Sequence, residues 1–256
     1  MIDWSVCYAA IFRASKGLIE VKDIDFIELD SLLEIDIQKE QLVSNTHKFL
    51  NGTGANHALL WGERGCGKSS LVKAVFTKFY KDGLRIIQIG VDDLKHLADI
   101  IDELRESRYK FIIFCDDLSF ENGSRDYKFL KPLMEGSIQK PPKNVLFYAT
   151  SNRRHLLSES KSDNANVQIL EDELHYGDAV EEKISLSDRF GLSISFYQGS
   201  FESYLKIVDF YFKDISVDKD LLYELARNYA MLRASRSGRT ARQFYIAFKD
   251  KFDELN

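Results

Sequence analysis

The sequence is short of cysteine, of proline and of any large excess of one charge, and each shortage closes off a class of protein. Three cysteines, Cys7, Cys66 and Cys115, make an odd count with no CxxC pair and no cysteine–histidine cluster. A disulfide scaffold is excluded, a zinc site is disfavoured, and a reducing, cytoplasmic setting is expected. Only three prolines occur in 256 residues that are 45% hydrophobic and 29% charged, which reads as globular and not disordered. No apolar run approaches the roughly 20 residues that cross a bilayer. The opening MIDWSVCYAAIFRAS carries an aspartate where a signal peptide would be basic, so neither a leader nor a membrane segment is expected. The net charge of −5 argues mildly against a dedicated nucleic-acid binder and leaves room for a local basic patch.

What is present is an alternation. Five short apolar runs read as buried strands: 57–61, 85–89, 110–115, 144–149 and 192–196. Helical spacing lies between most of them, over 69–80, 92–105 and 125–135, and an earlier helix is expected over 36–50. Strands alternating with helices predict a mostly parallel five-stranded sheet covered on both faces. After residue 197 the apolar spacing is helical throughout, which predicts a small all-helical domain. The expected division is a helical and linker extension over 1–34, an α/β core over 35–197 and a helical domain over 198–256. The acid-rich stretch 158–183 has no clear period. It reads as a solvated surface loop or as a partner-binding insertion.

The segment Gly62-Glu63-Arg64-Gly65-Cys66-Gly67-Lys68-Ser69 matches GxxxxGK[ST], with a strand before it and a helix after it. Glycines let the backbone curl until successive N–H groups face a phosphate, and the positive end of the new helix faces the same way. Lys68 is placed to reach β- and γ-phosphates and the Ser69 hydroxyl to ligate Mg²⁺. Expected nucleotide contacts are Gly62, Gly65, Cys66, Gly67, Lys68, Ser69 and Ser70.

Further on, FIIFCDD ends an apolar run in Asp116 and Asp117. In phosphate-loop proteins a second strand ends in an aspartate that supports the metal, and Asp116 fits that part. A carboxylate directly after it can orient or polarise the attacking water, which makes Asp117 the candidate base. The strand NVLFYATSN ends in Asn152, which either holds that water or the γ-phosphate, or turns the chain. Arg189, in LSDRFG, is either an arginine finger offered to a neighbouring subunit or half of a surface ion pair. Arg233, Arg236, Arg239 and Arg242 recur every third residue. They could meet nucleic-acid phosphates, close over a bound triphosphate, or balance the acids of the chain. A helix capped by Ser237 or Gly238 would put Arg239 in its first turn, which favours an anion nearby.

In that order the motifs resemble the AAA+ ATPases: Walker A in GERGCGKS, Walker B in FIIFCDD, sensor 1 at Asn152, the finger at Arg189 and sensor 2 within SGRTAR. The strings LLWGERGCGKSSLVKA, FIIFCDDLSFE, NVLFYATSNRRHL, EEKISLSDRFGL and RSGRTARQF are similar to a bacterial family of predicted AAA+ ATPases of unassigned function. The resemblance implies an αβα sandwich with a helical lid, ATP or ADP with Mg²⁺ in the cleft between them, and ring-type assembly of copies. It also implies that the segment around Ile35 packs near the adenine, and that Arg239 or Arg242 serves as sensor 2. The usual residue at position 117 in such proteins is Glu, so Asp117 implies slow turnover. No load is implied: the work is remodelling of an unknown partner, a nucleotide-dependent switch with little hydrolysis, or loading of a nucleic-acid machine.

Overall fold

The computed structural model describes residues 2–120, 126–134, 138–152, 168–170, 173–175 and 189–253. The chain opens with a hairpin of β1 (Ala9–Arg13) and β2 (Gly17–Glu20), followed by helix α1 (Asp36–Asn51), β3 (Ala58–Gly62) and α2 (Lys68–Phe79). Then come β4 (Leu84–Ile89), α3 (Leu97–Leu104), β5 (Lys110–Cys115), the single turn α4 (Lys131–Met134) and β6 (Val145–Ser151). Strands β7 (Gln168–Leu170) and β8 (Glu173–His175) pair with each other, and β9 (Leu192–Phe196) joins the main sheet. Three helices finish the chain: α5 (Phe201–Tyr211), α6 (Lys219–Leu232) and α7 (Gly238–Asp253).

The main sheet has the order β2-β1-β4-β5-β6-β3-β9. All neighbours are parallel except β1 and β2. The five expected strands are all there, within about two residues of their expected bounds. The sheet has seven strands because residues 9–20, expected as helix and linker, form an edge hairpin instead. Arg85, 3% exposed, ties down the segment that leads into that hairpin. Its Nε donates to the Trp4 carbonyl at 2.8 Å, and its guanidinium lies between the rings of Tyr8 and Tyr109.

Period-two alternation sorts the strand side chains to two faces. Phe111, Ile113 and Phe147 pack with α3 on one side; Ile112, Leu146 and Tyr148 pack with α1 and α2 on the other. Burial on both faces explains why these strands read as unbroken apolar runs. The C-terminal helices have a core of their own around Tyr204, Val208, Phe212, Leu222 and Phe244. Each starts on a side-chain cap: Ser200 accepts from the Ser203 N–H, Asp218 from Asp220 and Leu221, and Ser237 from Thr240. Among the described residues no helix is long and apolar enough to cross a membrane.

Candidate functional site

The cleft opens at the carboxyl ends of the parallel strands, where an α/β sheet offers its crevice. It encloses about 610 Å³ between the β3–α2 loop, the ends of β5 and β6, the segment 31–35 and the C-terminal helices.

The loop after β3 is shaped by glycine. Gly62 has φ 129°, and a Cβ there would sit 1.9 Å from the Phe196 carbonyl oxygen on β9. Gly65 has φ 78°, and its Cβ would meet the Ser237 hydroxyl at 2.7 Å. The loop therefore touches β9 on one side and the start of α7 on the other with no room for a side chain. Arg239 donates its backbone N–H to the Gly65 carbonyl at 3.3 Å, so the start of α7 sits directly on the loop.

Lys68 opens α2 and is 7% exposed. Its ammonium donates to the carbonyls of Gly62 and Glu63, each at 2.7 Å, and to Asn152 Oδ1 at 3.2 Å. Burial pulls its pKa below the ordinary lysine value, opposed by the charges of Cys66, Asp117 and Asp116. Next to it, the Ser69 hydroxyl donates to Asp116 Oδ1 at 2.6 Å. That joins the two motifs expected to serve one metal. Asp117 follows in the left-handed region, φ 56°, and its Oδ1 accepts from the Asn152 amide at 2.6 Å. Asn152 thus links Lys68 to Asp117, accepting from one and donating to the other.

Ile35, Cys66, Ser70, Arg239 and Arg242 all line the cleft, and so does Arg236. Arg233 does not line it; its guanidinium lies 3.6 Å from the Tyr229 ring centre. The four arginines do not share one helix: α6 ends at Leu232 and α7 begins at Gly238, capped by Ser237 as expected. Arg189 is not brought to the cleft. It precedes β9, whose far end meets Gly62, so about 16 Å of strand separates it from the phosphate loop. The stretch 158–183 lies outside the described residues, apart from β7 and β8.

Sequence reasoning missed several lining residues. Leu32, Leu33, Ile207 and Tyr211 line the cleft along with Ile35. Tyr204 also lines it; its buried phenol has no hydrogen-bond partner among the described residues, and burial pushes its pKa up. Thr150, 2% exposed, was hidden within a strand-like run. Only its neighbour Asn152 carried a signal.

A family model described as "Protein of unknown function (DUF815)" matches residues 5–252. The chain is similar to solved structures of RuvB from Thermotoga maritima. One of them, of a point mutant, is 13% identical with a TM-score of 0.50, covering 87% of this chain and 73% of its own. The structure described as a RuvB Holliday junction branch migration motor is 12% identical with a TM-score of 0.49, covering 86% and 72%. No curated protein matches the chain.

Proposed function

Because this chain belongs to the DUF815 family, whose description assigns no activity, and has the P-loop AAA+ fold, we propose its function from the site: it binds ATP with Mg²⁺ and hydrolyses it to drive a conformational change. The observation that carries the proposal is the hydrogen-bonded chain Lys68–Asn152–Asp117. It joins the cation that would hold the β- and γ-phosphates to the acid that would take a proton from water.

The donor set fits Mg²⁺. A serine hydroxyl and a carboxylate oxygen, 2.6 Å apart at a helix N-terminus, are the hard oxygens this ion takes. Bound there with the nucleotide, the ion supplies neutralisation of phosphate charge. The rest is work for the chain's own groups. The backbone N–H groups of the loop and the start of α2 hold phosphate oxygens. Lys68 trades a protein oxygen for a phosphate oxygen. Asn152 keeps Asp117 turned toward the phosphate end of the cleft. Leu32, Leu33, Ile35 and Ile207 offer apolar surface to the base. Arg239, already bonded to Gly65 through its backbone, and Arg242 neutralise the triphosphate from the helical domain. The direction in which Arg236, Arg239 and Arg242 face favours a phosphate ligand over a nucleic-acid surface.

Arg189, remote from the cleft of its own chain, is proposed to act on the nucleotide of a neighbouring copy in a ring-type homo-oligomer. The protein partner, met through 158–183, and the cytoplasmic setting belong to the same proposal. A second reading is a binding switch that hydrolyses little; the shorter acid at position 117 favours it.

ATP turnover measured against protein concentration separates the readings, for the wild type and for Lys68→Ala, Asp117→Asn and Arg189→Ala. Activity that rises with concentration and is lost in all three variants is expected. Tight ATP binding through Lys68 without turnover would overturn hydrolysis in favour of the switch.

A further inference from the structure

A single buried hydroxyl governs both acids at the end of β5. The β5–β6 ladder stops at the pair Cys115 and Ala149, yet β6 continues through Thr150 and Ser151. Thr150 stands where the next rung would form, and residues 116–118 fold around it. Its backbone carbonyl accepts from the Leu118 N–H at 2.7 Å. Its hydroxyl accepts from the Asp117 N–H at 2.9 Å and donates to Asp116 Oδ1 at 2.5 Å. A threonine hydroxyl has one proton and two lone pairs, so the proton is committed to the acid on the metal side. Leu118, fully buried, anchors the far end of the turn in the core.

We infer that Thr150 is a positioning residue: it fixes the oxygen that Asp116 shares with Ser69 and holds the left-handed turn that aims Asp117. The inference rests on the nucleotide-binding reading above. It also accounts for the residue at 117. Short polar side chains tolerate the left-handed region, and Asp is among the few that do; a Glu there meets the Cβ clash without that compensation. The turn that Thr150 pins is therefore the reason Asp stands where Glu is usual.

The full chain tests this with a fluorescent ATP analogue titrated with and without Mg²⁺, for the wild type, Thr150→Val and Thr150→Ser. Valine keeps the shape and loses both hydroxyl bonds; serine keeps the bonds. For Thr150→Val, metal-free affinity should stay within about twofold of the wild type, while the Mg²⁺ concentration for half of the metal-dependent gain rises about tenfold. Thr150→Ser should lie within about threefold of the wild type on both measures. A merely structural loss would weaken metal-free binding as well. Should the valine variant not fold, Thr150→Ala carries the same expectation. Wild-type Mg²⁺ dependence in the variant without the hydroxyl sinks the inference and leaves the nucleotide reading standing, and so does a serine variant as impaired as valine. A wild type that binds no analogue under either condition overturns the nucleotide reading and this inference with it.

Discussion

Replacing Asp117 by Glu would install the residue usual in AAA+ relatives, and the structure predicts that it damages the protein. At φ 56° the backbone of residue 117 is in the left-handed region, which costs an ordinary L-residue about 1–2 kcal/mol. Asp recovers part of this because its carboxylate accepts from Asn152 at 2.6 Å. Glu is one methylene longer and overshoots that amide. The net loss should be about 1 kcal/mol of stability, or about 2–4 °C in Tm for a chain this size. Turnover should fall about tenfold, since a poorly aimed carboxylate forfeits one tenfold step per 1.4 kcal/mol. Thermal unfolding and ATP hydrolysis of wild type, Asp117→Glu and Asp117→Asn decide it. Asn tolerates the same conformation and should match wild-type stability while losing turnover. A Glu variant that is as stable as wild type and hydrolyses faster would refute the argument, because it would mean the turn does not constrain the choice of acid.

Two further expectations follow from groups outside the aspartate pair. Gly65→Ala should weaken ADP binding at least about tenfold, because a Cβ 2.7 Å from the Ser237 hydroxyl at φ 78° pries the helical domain off the phosphate loop; isothermal titration checks it. His57 accepts from the Phe147 N–H at 3.0 Å, and burial pushes its pKa down to about 4, against an ordinary value near 6.5. Its folded pKa lies below its unfolded one, so its contribution to stability is complete above about pH 6.5 and is lost as pH falls toward 4. Urea unfolding at pH 7.5 and pH 5 should show about 2 kcal/mol of extra loss in wild type relative to His57→Asn; equal losses would count against it.

How much of this was legible in the sequence depended on how local each signal was. The five core strands announced themselves because a strand buried on both faces must be apolar at every position, as FIIF in β5 shows. The edge hairpin did not, because AAIFR and GLIE are too short to establish a period, and what secures them is the ladder of β1 on β4, over sixty residues away in the chain. The phosphate loop, Ser69, Asp116 and Asn152 were visible as motifs, and the structure brings them within hydrogen-bond reach of one another. Thr150 was invisible because threonine in a strand is ordinary, and only the register against β5 gives its hydroxyl a task. The backbone of Asp117 was also hidden, although the choice of Asp over Glu was its trace. The cap at Ser237 was readable because capping is a matter of a few consecutive residues.

The hairpin also changes what the sheet exposes to other molecules. Without it, β4 would be the border strand, and its sequence LRIIQI is a six-residue stretch with strong β-propensity and a single charge. Such a border invites strand-by-strand pairing with unfolded chains. With the hairpin in place, the border on that side is the four-residue GLIE, which begins on a glycine and ends on an acid; β9 borders the other side. The hairpin therefore replaces a six-residue apolar border on that side of the sheet with a short, polar-ended one.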